Sequence, residues 1–194
     1  MTFKLGLTGS IGMGKSTTAT LFQAEGCDVW DADACVHHLY AKGGAAVEQF
    51  RTTLPQAIEN EYVSREKLKQ LLTDDPSLFK VLEDIVHPLV AADRARFIET
   101  ATSDIVVLDI PLLFETGGNA LMDAVVTVYV DASLQKQRVL ERGTMTEQQL
   151  DQILARQMPI QDKIDQSDYK IHTDTLEHAR QQVKDILRTI RKTQ

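Results

Sequence analysis

The chain has 194 residues, with 21 Lys+Arg against 28 Asp+Glu and a formal net charge of -7. That length suits one domain, with room for an inserted part, and its 43% hydrophobic and 25% charged residues are ordinary for a globular protein. The acidic balance speaks against a protein that coats nucleic acid, which needs concentrated positive charge. A small anionic ligand remains open, because a few well-placed cations suffice to hold it.

In chain order, Phe3 to Thr8 is a near-continuous apolar run, read as a strand, and a helix follows from about Lys15 to Glu25. Cys27 to Asp31, Ile105 to Ile110 and Val125 to Val130 are further strands, with a weaker fifth at Tyr169 to His172. Unalternating β-branched runs suit strands covered on both faces, as in a parallel sheet with crossover helices. Roughly 70 residues of helical pattern separate strands two and three, far more than one crossover needs, and predict an inserted helical part. Pro88 is expected in the first turn of a helix running through Arg94 and Arg96, with His87 at or near its cap. Leu176, Ala179, Val183, Ile186, Leu187 and Ile190 form one apolar stripe on the last helix.

Cys27 and Cys35 are too few for a disulfide scaffold and have no metal-ligand spacing, which predicts reduced thiols and a cytoplasmic location. Lys4 and Gly6 interrupt the N-terminal apolar run, and Asp109 and Pro111 interrupt the longest one, Ile105 to Phe114. Neither a signal peptide nor a membrane span is therefore expected.

Gly9-Ser10-Ile11-Gly12-Met13-Gly14-Lys15-Ser16 fits GxxxxGK(S/T) at every fixed position. Glycines let successive backbone amides turn inward on phosphate, and the helix that follows adds its free N–H groups and positive dipole end. Lys15 reaches toward the β- and γ-phosphates, while the Ser16 hydroxyl suits Mg²⁺. The loop predicts a nucleoside triphosphate, and the absence of an Asn-Lys-x-Asp signature argues against a GTPase.

Asp31 and Asp33 lie at the end of the second strand, placed for a base or a metal if they do more than cap the next helix. Asp109 closes the third strand, either as a Walker-B-like acid near Mg²⁺ or as a turn residue. Arg138 and Arg142 share a helical face before Gly143, and Thr146-x-x-Gln149 resembles a capping box that starts a helix reaching Arg156-Gln157. This helix–break–helix pattern suits a closing lid, with a solvated charged face as the plain alternative.

Together LTGSIGMGKST, DAD, HPLV, IPLLFE and ILARQ, in that order over roughly residues 3 to 173, resemble the dephospho-coenzyme A kinase family. The resemblance implies transfer of the ATP γ-phosphate to the ribose 3′-hydroxyl of dephospho-coenzyme A. It implies an α/β P-loop kinase core with a five-stranded parallel sheet in the order 2-3-1-4-5. One domain is expected: a core of residues 1–33, 102–133 and 160–194, a helical acceptor-binding insertion at about 34–101 and a lid at about 134–159.

Under this resemblance Asp33 is the general base, supported by Asp31, and Lys15 and Arg142 complete the catalytic set. ATP is expected on Gly9, Ile11, Gly12, Met13, Gly14, Lys15, Ser16 and Thr17, with Arg142 and Arg156 from the lid. Acceptor contacts are expected from Asp31, Asp33, His87 and Leu113, beside the motif residues Leu112 and Glu115, and Mg²⁺ contacts from Ser16 and Asp109. Neither nucleic acid nor membrane is an expected partner, and the expected state is a monomer or weak homo-oligomer. Asp168 to Thr175 departs from the family's Asn-Gly-like turn, so no adenine contact is carried over to it. Competing readings are a kinase of a nucleoside monophosphate or a shikimate-like alcohol, and a nucleotide-dependent binding module without phosphoryl transfer.

Overall fold

Strand β1 (Phe3–Gly9) is the axis of the sheet, because its LGLTG run is buried on both faces. In the computed structural model, which describes residues 2–193, it is followed by α1 (Lys15–Ala24) and β2 (Asp28–Asp31). Next come α2 (Ala32–Tyr40), α3 (Val47–Thr53), β3 (Ile58–Glu59), β4 (Tyr62–Val63), α4 (Arg65–Asp74) and α5 (Leu78–Thr100). The chain continues through β5 (Ile105–Asp109), β6 (Ala124–Tyr129), α6 (Ala132–Glu141), α7 (Glu147–Leu154), α8 (Ile160–Asp165), β7 (Tyr169–His172) and α9 (Leu176–Thr193).

The main sheet has five strands in the order β2-β5-β1-β6-β7. Counted among these five alone, that is 2-3-1-4-5, the order the sequence reading expects. Parallel pairing sets Leu7 beside Asp109, Gly9 beside Val128 and Tyr129 beside His172, so these strand ends meet at one edge. In open α/β sheets this carboxyl edge is where ligands bind.

The chain divides into two compact units. One combines the N-terminal segment through Trp30 with everything from Ala101 onward, and the other is Asp31–Thr100. In the first, Leu5, Leu7, Val107, Val126 and Ile171 are fully buried, and α9 packs Ala179, Val183, Ile186, Leu187 and Ile190 into the same core. Leu176 departs from the expected stripe: it is 53% exposed at the start of α9.

The second unit differs from its sequence reading in two ways. It is not wholly helical, because β3 and β4 pair as a hairpin with Ile58 opposite Val63. Asn60 and Glu61 both take positive φ in the connection, the geometry that matches the twist of a two-residue hairpin. Pro88 does not begin a helix but lies inside the 23-residue α5, so His87 is mid-helix rather than a cap. Both residues are exposed, so the carbonyl one turn back that loses its amide partner can turn to water.

Candidate active site

The loop between β1 and α1 is shaped by glycine where side chains would collide. Gly12 has φ +78°, and a Cβ there would lie 2.5 Å from Val139 Cγ2 on α6. At Gly9 it would lie 2.5 Å from Val128 Cγ2 on β6. Gly14, with φ +85°, is the N-cap of α1 and places no side chain over the first-turn amides. The helix therefore presents its N-terminus as an anion-binding end.

Lys15 projects to the end of β5 and pairs with Asp109, whose side chain is 1% exposed. Ser16 and Thr17 are exposed in the same helical turn, and Met13 is buried with the core. At the loop tip, the Ile11 amide donates to Gln157 Oε1 at 3.4 Å, and its carbonyl accepts from Gln135 Nε2 at 2.7 Å. Thr173 Oγ1 donates to the Met13 carbonyl at 2.8 Å, tying the segment after β7 to the loop.

A cleft of about 430 Å³ opens beside the loop. Thr17, Arg138, Arg142, Thr173, Thr175 and Leu176 are among its lining residues. Arg138 Nη2 donates to the Thr173 carbonyl at 2.7 Å, and Arg142 lies one turn further along, at the C-cap of α6. Gly143, with φ +65°, breaks the chain between α6 and α7, and Thr146 and Gln149 form the complete capping box of α7. Arg156 is exposed beyond α7 and is not among the residues lining the cleft.

Glu115 has a structural assignment. Lys163 is fully buried, with its Nζ 2.8 Å from Glu115 Oε1 and 3.2 Å from the Pro111 carbonyl. Glu115 Oε1 also accepts from the Met158 amide at 2.9 Å. Burial alone would raise the Glu115 carboxyl, but the Lys163 and Met158 donors outweigh it and hold it below its ordinary value. The IPLLFE segment thus pins the chain at Met158 and Lys163. Leu113 is fully buried and packs with Phe114 and Val125, whereas Leu112 is 43% exposed.

In the second unit, Asp31 caps α2 by accepting from the Ala34 amide at 2.9 Å. Asp33 sits exposed in the first turn of that helix, and His87 is exposed on α5. An apolar pocket of about 440 Å³ is lined by Tyr40, Tyr62 and Val63, with His37, Lys42 and Arg65 at its polar positions. Burial pushes the Cys35 thiol up to about 12, helped by Asp93, and the Cys27 thiol up to about 11, which disfavours the thiolate at both.

Sequence reasoning missed Thr173 and Lys163. A threonine after a weak strand and a lysine in a polar segment carry no local signal. Ser16 and Asp109 supply a hydroxyl and a carboxylate, hard oxygen donors of the kind Mg²⁺ takes. Among the described residues, no helix is long and apolar enough to cross a membrane.

The dephospho-CoA kinase family is matched over residues 3–178 of the chain. A dephospho-CoA kinase from Ruegeria pomeroyi is 61% identical over 191 residues, covering 98% of this chain and 97% of its own. A second, from Cereibacter sphaeroides, is 53% identical with the same coverage. Among solved structures, a protein from Thermus thermophilus superposes with a TM-score of 0.86 at 26% identity, covering 97% of each chain.

Proposed function

Since the chain belongs to the dephospho-CoA kinase family, which phosphorylates dephospho-CoA from ATP in the final step of coenzyme A biosynthesis, we propose that its acceptor atom is the ribose 3′-hydroxyl and its general base Asp33. The phosphate loop, with left-handed Gly12 and Gly14 and Lys15 opening α1, supports ATP as the donor, and exposed Asp33 in the first turn of α2 supports the choice of base.

ATP lies with its phosphates on the loop amides of Gly9 through Thr17, and its adenosine in the cleft walled by Thr173 and Thr175. Leu176, exposed there, supplies an apolar surface for the base. Lys15 exchanges Asp109 for the β- and γ-phosphates, and Arg142, with Arg156 on lid closure, offsets charge on the transferring group. Ser16 and Asp109 would hold Mg²⁺, which when bound neutralises phosphate charge.

The acceptor's apolar arm suits the Tyr40–Tyr62 pocket and its anionic groups suit Lys42 and Arg65. His87 belongs to the same acceptor unit. Asp33 accepts the 3′-hydroxyl proton as the new O–P bond forms and the bond to the ADP oxygen breaks. Asp31, as the cap of α2, positions that turn. The buried free thiols support a reducing, cytoplasmic setting.

An acceptor panel with ATP and Mg²⁺ tests the reading. Dephospho-CoA should outcompete AMP and shikimate as acceptor, and phosphorus NMR should find the new phosphate on the 3′-oxygen. AMP preferred over dephospho-CoA would overturn it. Asp33→Asn should lower kcat by roughly 10²–10⁴ while leaving ATP affinity nearly unchanged; a variant with full kcat would remove Asp33 as the base.

A further inference from the structure

The segment that departs from the family pattern, Asp168 to Thr175, ends in a cluster the kinase reading does not use. His172 closes β7, Asp174 follows it, and His178 stands in the first turn of α9. One ligand atom from each of the three lies within 4.8 Å of the other two. Among the described residues this is the sole group of three or more His, Cys, Asp or Glu side chains so arranged.

The spacing of the three side chains matches that of a metal ligand set. His178 Nδ1 lies 2.7 Å from Asp174 Oδ1, and His172 Nδ1 lies 3.8 Å from Asp174 Oδ2, beyond hydrogen-bonding reach. A tetrahedral ion with bonds of roughly 2.0–2.1 Å spaces its ligands roughly 3.3–3.4 Å apart, between those two distances. The His172 ring is fixed in place by stacking on Tyr129, with centroids 4.9 Å apart and planes at 16°. Its backbone is fixed by Gln182, which exchanges two hydrogen bonds of 2.9 Å with the His172 amide and carbonyl.

The buried Nε2 of His172 has no hydrogen-bond partner and takes no part in the site. The two ring nitrogens diverge and cannot both face one ion, so the ion would sit on Nδ1, the nitrogen nearer Asp174. We propose that His172, Asp174 and His178 bind a borderline divalent transition metal of the Zn²⁺ or Co²⁺ class, with water completing the shell. Two imidazoles and one carboxylate select such an ion over Mg²⁺, which takes oxygen donors and keeps its waters. The site is distinct from Ser16 and Asp109 and lies on the turn whose Thr173 and Thr175 wall the cleft beside the phosphate loop.

Co²⁺ titration of the intact protein, in excess Mg²⁺ and without nucleotide, tests this. One equivalent should bind with the intense visible absorption of low-coordinate Co²⁺, and Zn²⁺ should displace it. At a hundredfold excess over Kd the melting temperature should rise by roughly 5–10 °C. His178 is 49% exposed, so His178→Gln should fold normally yet lose more than roughly tenfold in affinity, as should Asp174→Asn. Replacing His37 and His38 together by Gln should leave the signal intact. No stoichiometric band in the wild type would overturn the proposal. So would unchanged binding in His178→Gln and Asp174→Asn, or loss of the band on removing His37 and His38.

Discussion

Replacing Glu115 by alanine would leave the Lys163 ammonium fully buried with one partner, the Pro111 carbonyl at 3.2 Å, in place of two. Removing one member of a buried ion pair typically costs 3–5 kcal/mol, because the remaining charge has left water without compensation. The surviving carbonyl contact puts Glu115→Ala near the lower end, about 3 kcal/mol, or a melting temperature roughly 6–12 °C lower for a chain of this size. Lys163→Met should cost only about 1 kcal/mol: the 17% exposed Glu115 can still reach water and the Met158 amide, and Thr8 Oγ1 still serves the Pro111 carbonyl at 3.0 Å. The pair Glu115→Ala with Lys163→Met should sit within about 2 kcal/mol of wild type, well short of the sum of the two single losses, because no unpaired buried charge is left.

Urea and thermal unfolding of the four proteins measure this cycle. A loss below about 1 kcal/mol in Glu115→Ala, or strict additivity in the double variant, would refute the buried-pair argument. The pH dependence has a fixed sign. Glu115 is held below its ordinary 4.5, so its contribution is complete above that value and is lost as pH falls through the lower folded value. The advantage of wild type over Glu115→Ala should be constant near neutrality and narrow in acid.

Gly12→Ala should cost about 1–3 kcal/mol from the positive φ alone, plus the displacement of Val139 from its 2.5 Å overlap, measured by unfolding. Nucleotide affinity should fall with it, since the same change reshapes the loop. Asp31→Ala should lose about 1 kcal/mol as the Ala34 amide loses its cap, and Asp31→Ser should restore it. If Asp31 acts only through the turn, the serine variant will also restore the acceptor KM. Lys15→Met should lower kcat by roughly 10²–10³, and Lys15→Arg should not rescue it, because a planar guanidinium cannot reproduce a point charge against the phosphates.

The central strands and the phosphate loop were legible because their signals are local. Unbroken β-branched runs such as IVVLD mark strands covered on both faces, and the glycine spacing marks a backbone that must turn tightly. The capping box of α7 was legible for the same reason. What escaped depends on tertiary context. Pro88 reads as a helix start, yet α5 runs through it because the affected turn faces solvent. Leu176 continues the α9 periodicity but falls one turn before the helix meets the core. Thr173 matters for the Met13 carbonyl 160 residues away, a contact no window of sequence contains.

The phosphate loop and the groups around it are already engaged with one another. Lys15 holds Asp109, the Ile11 amide holds Gln157, and Arg138 holds the Thr173 carbonyl. Nucleotide binding on this loop is therefore an exchange of partners, and each exchange returns less than a bond made from nothing. The three contacts are not equal in strength. The Ile11–Gln157 bond, at 3.4 Å, is the weakest and is made by a residue just past α7, so it should yield first and free the segment after α7 from the loop. The Lys15–Asp109 pair is nearly buried, and only a partner of comparable charge, such as a polyphosphate, can draw the ammonium away. That ordering lets a net charge of -7 coexist with a polyanionic ligand. The surface acidity is screened within about 8–10 Å at physiological salt, whereas Lys15 and the α1 amides act at contact distance.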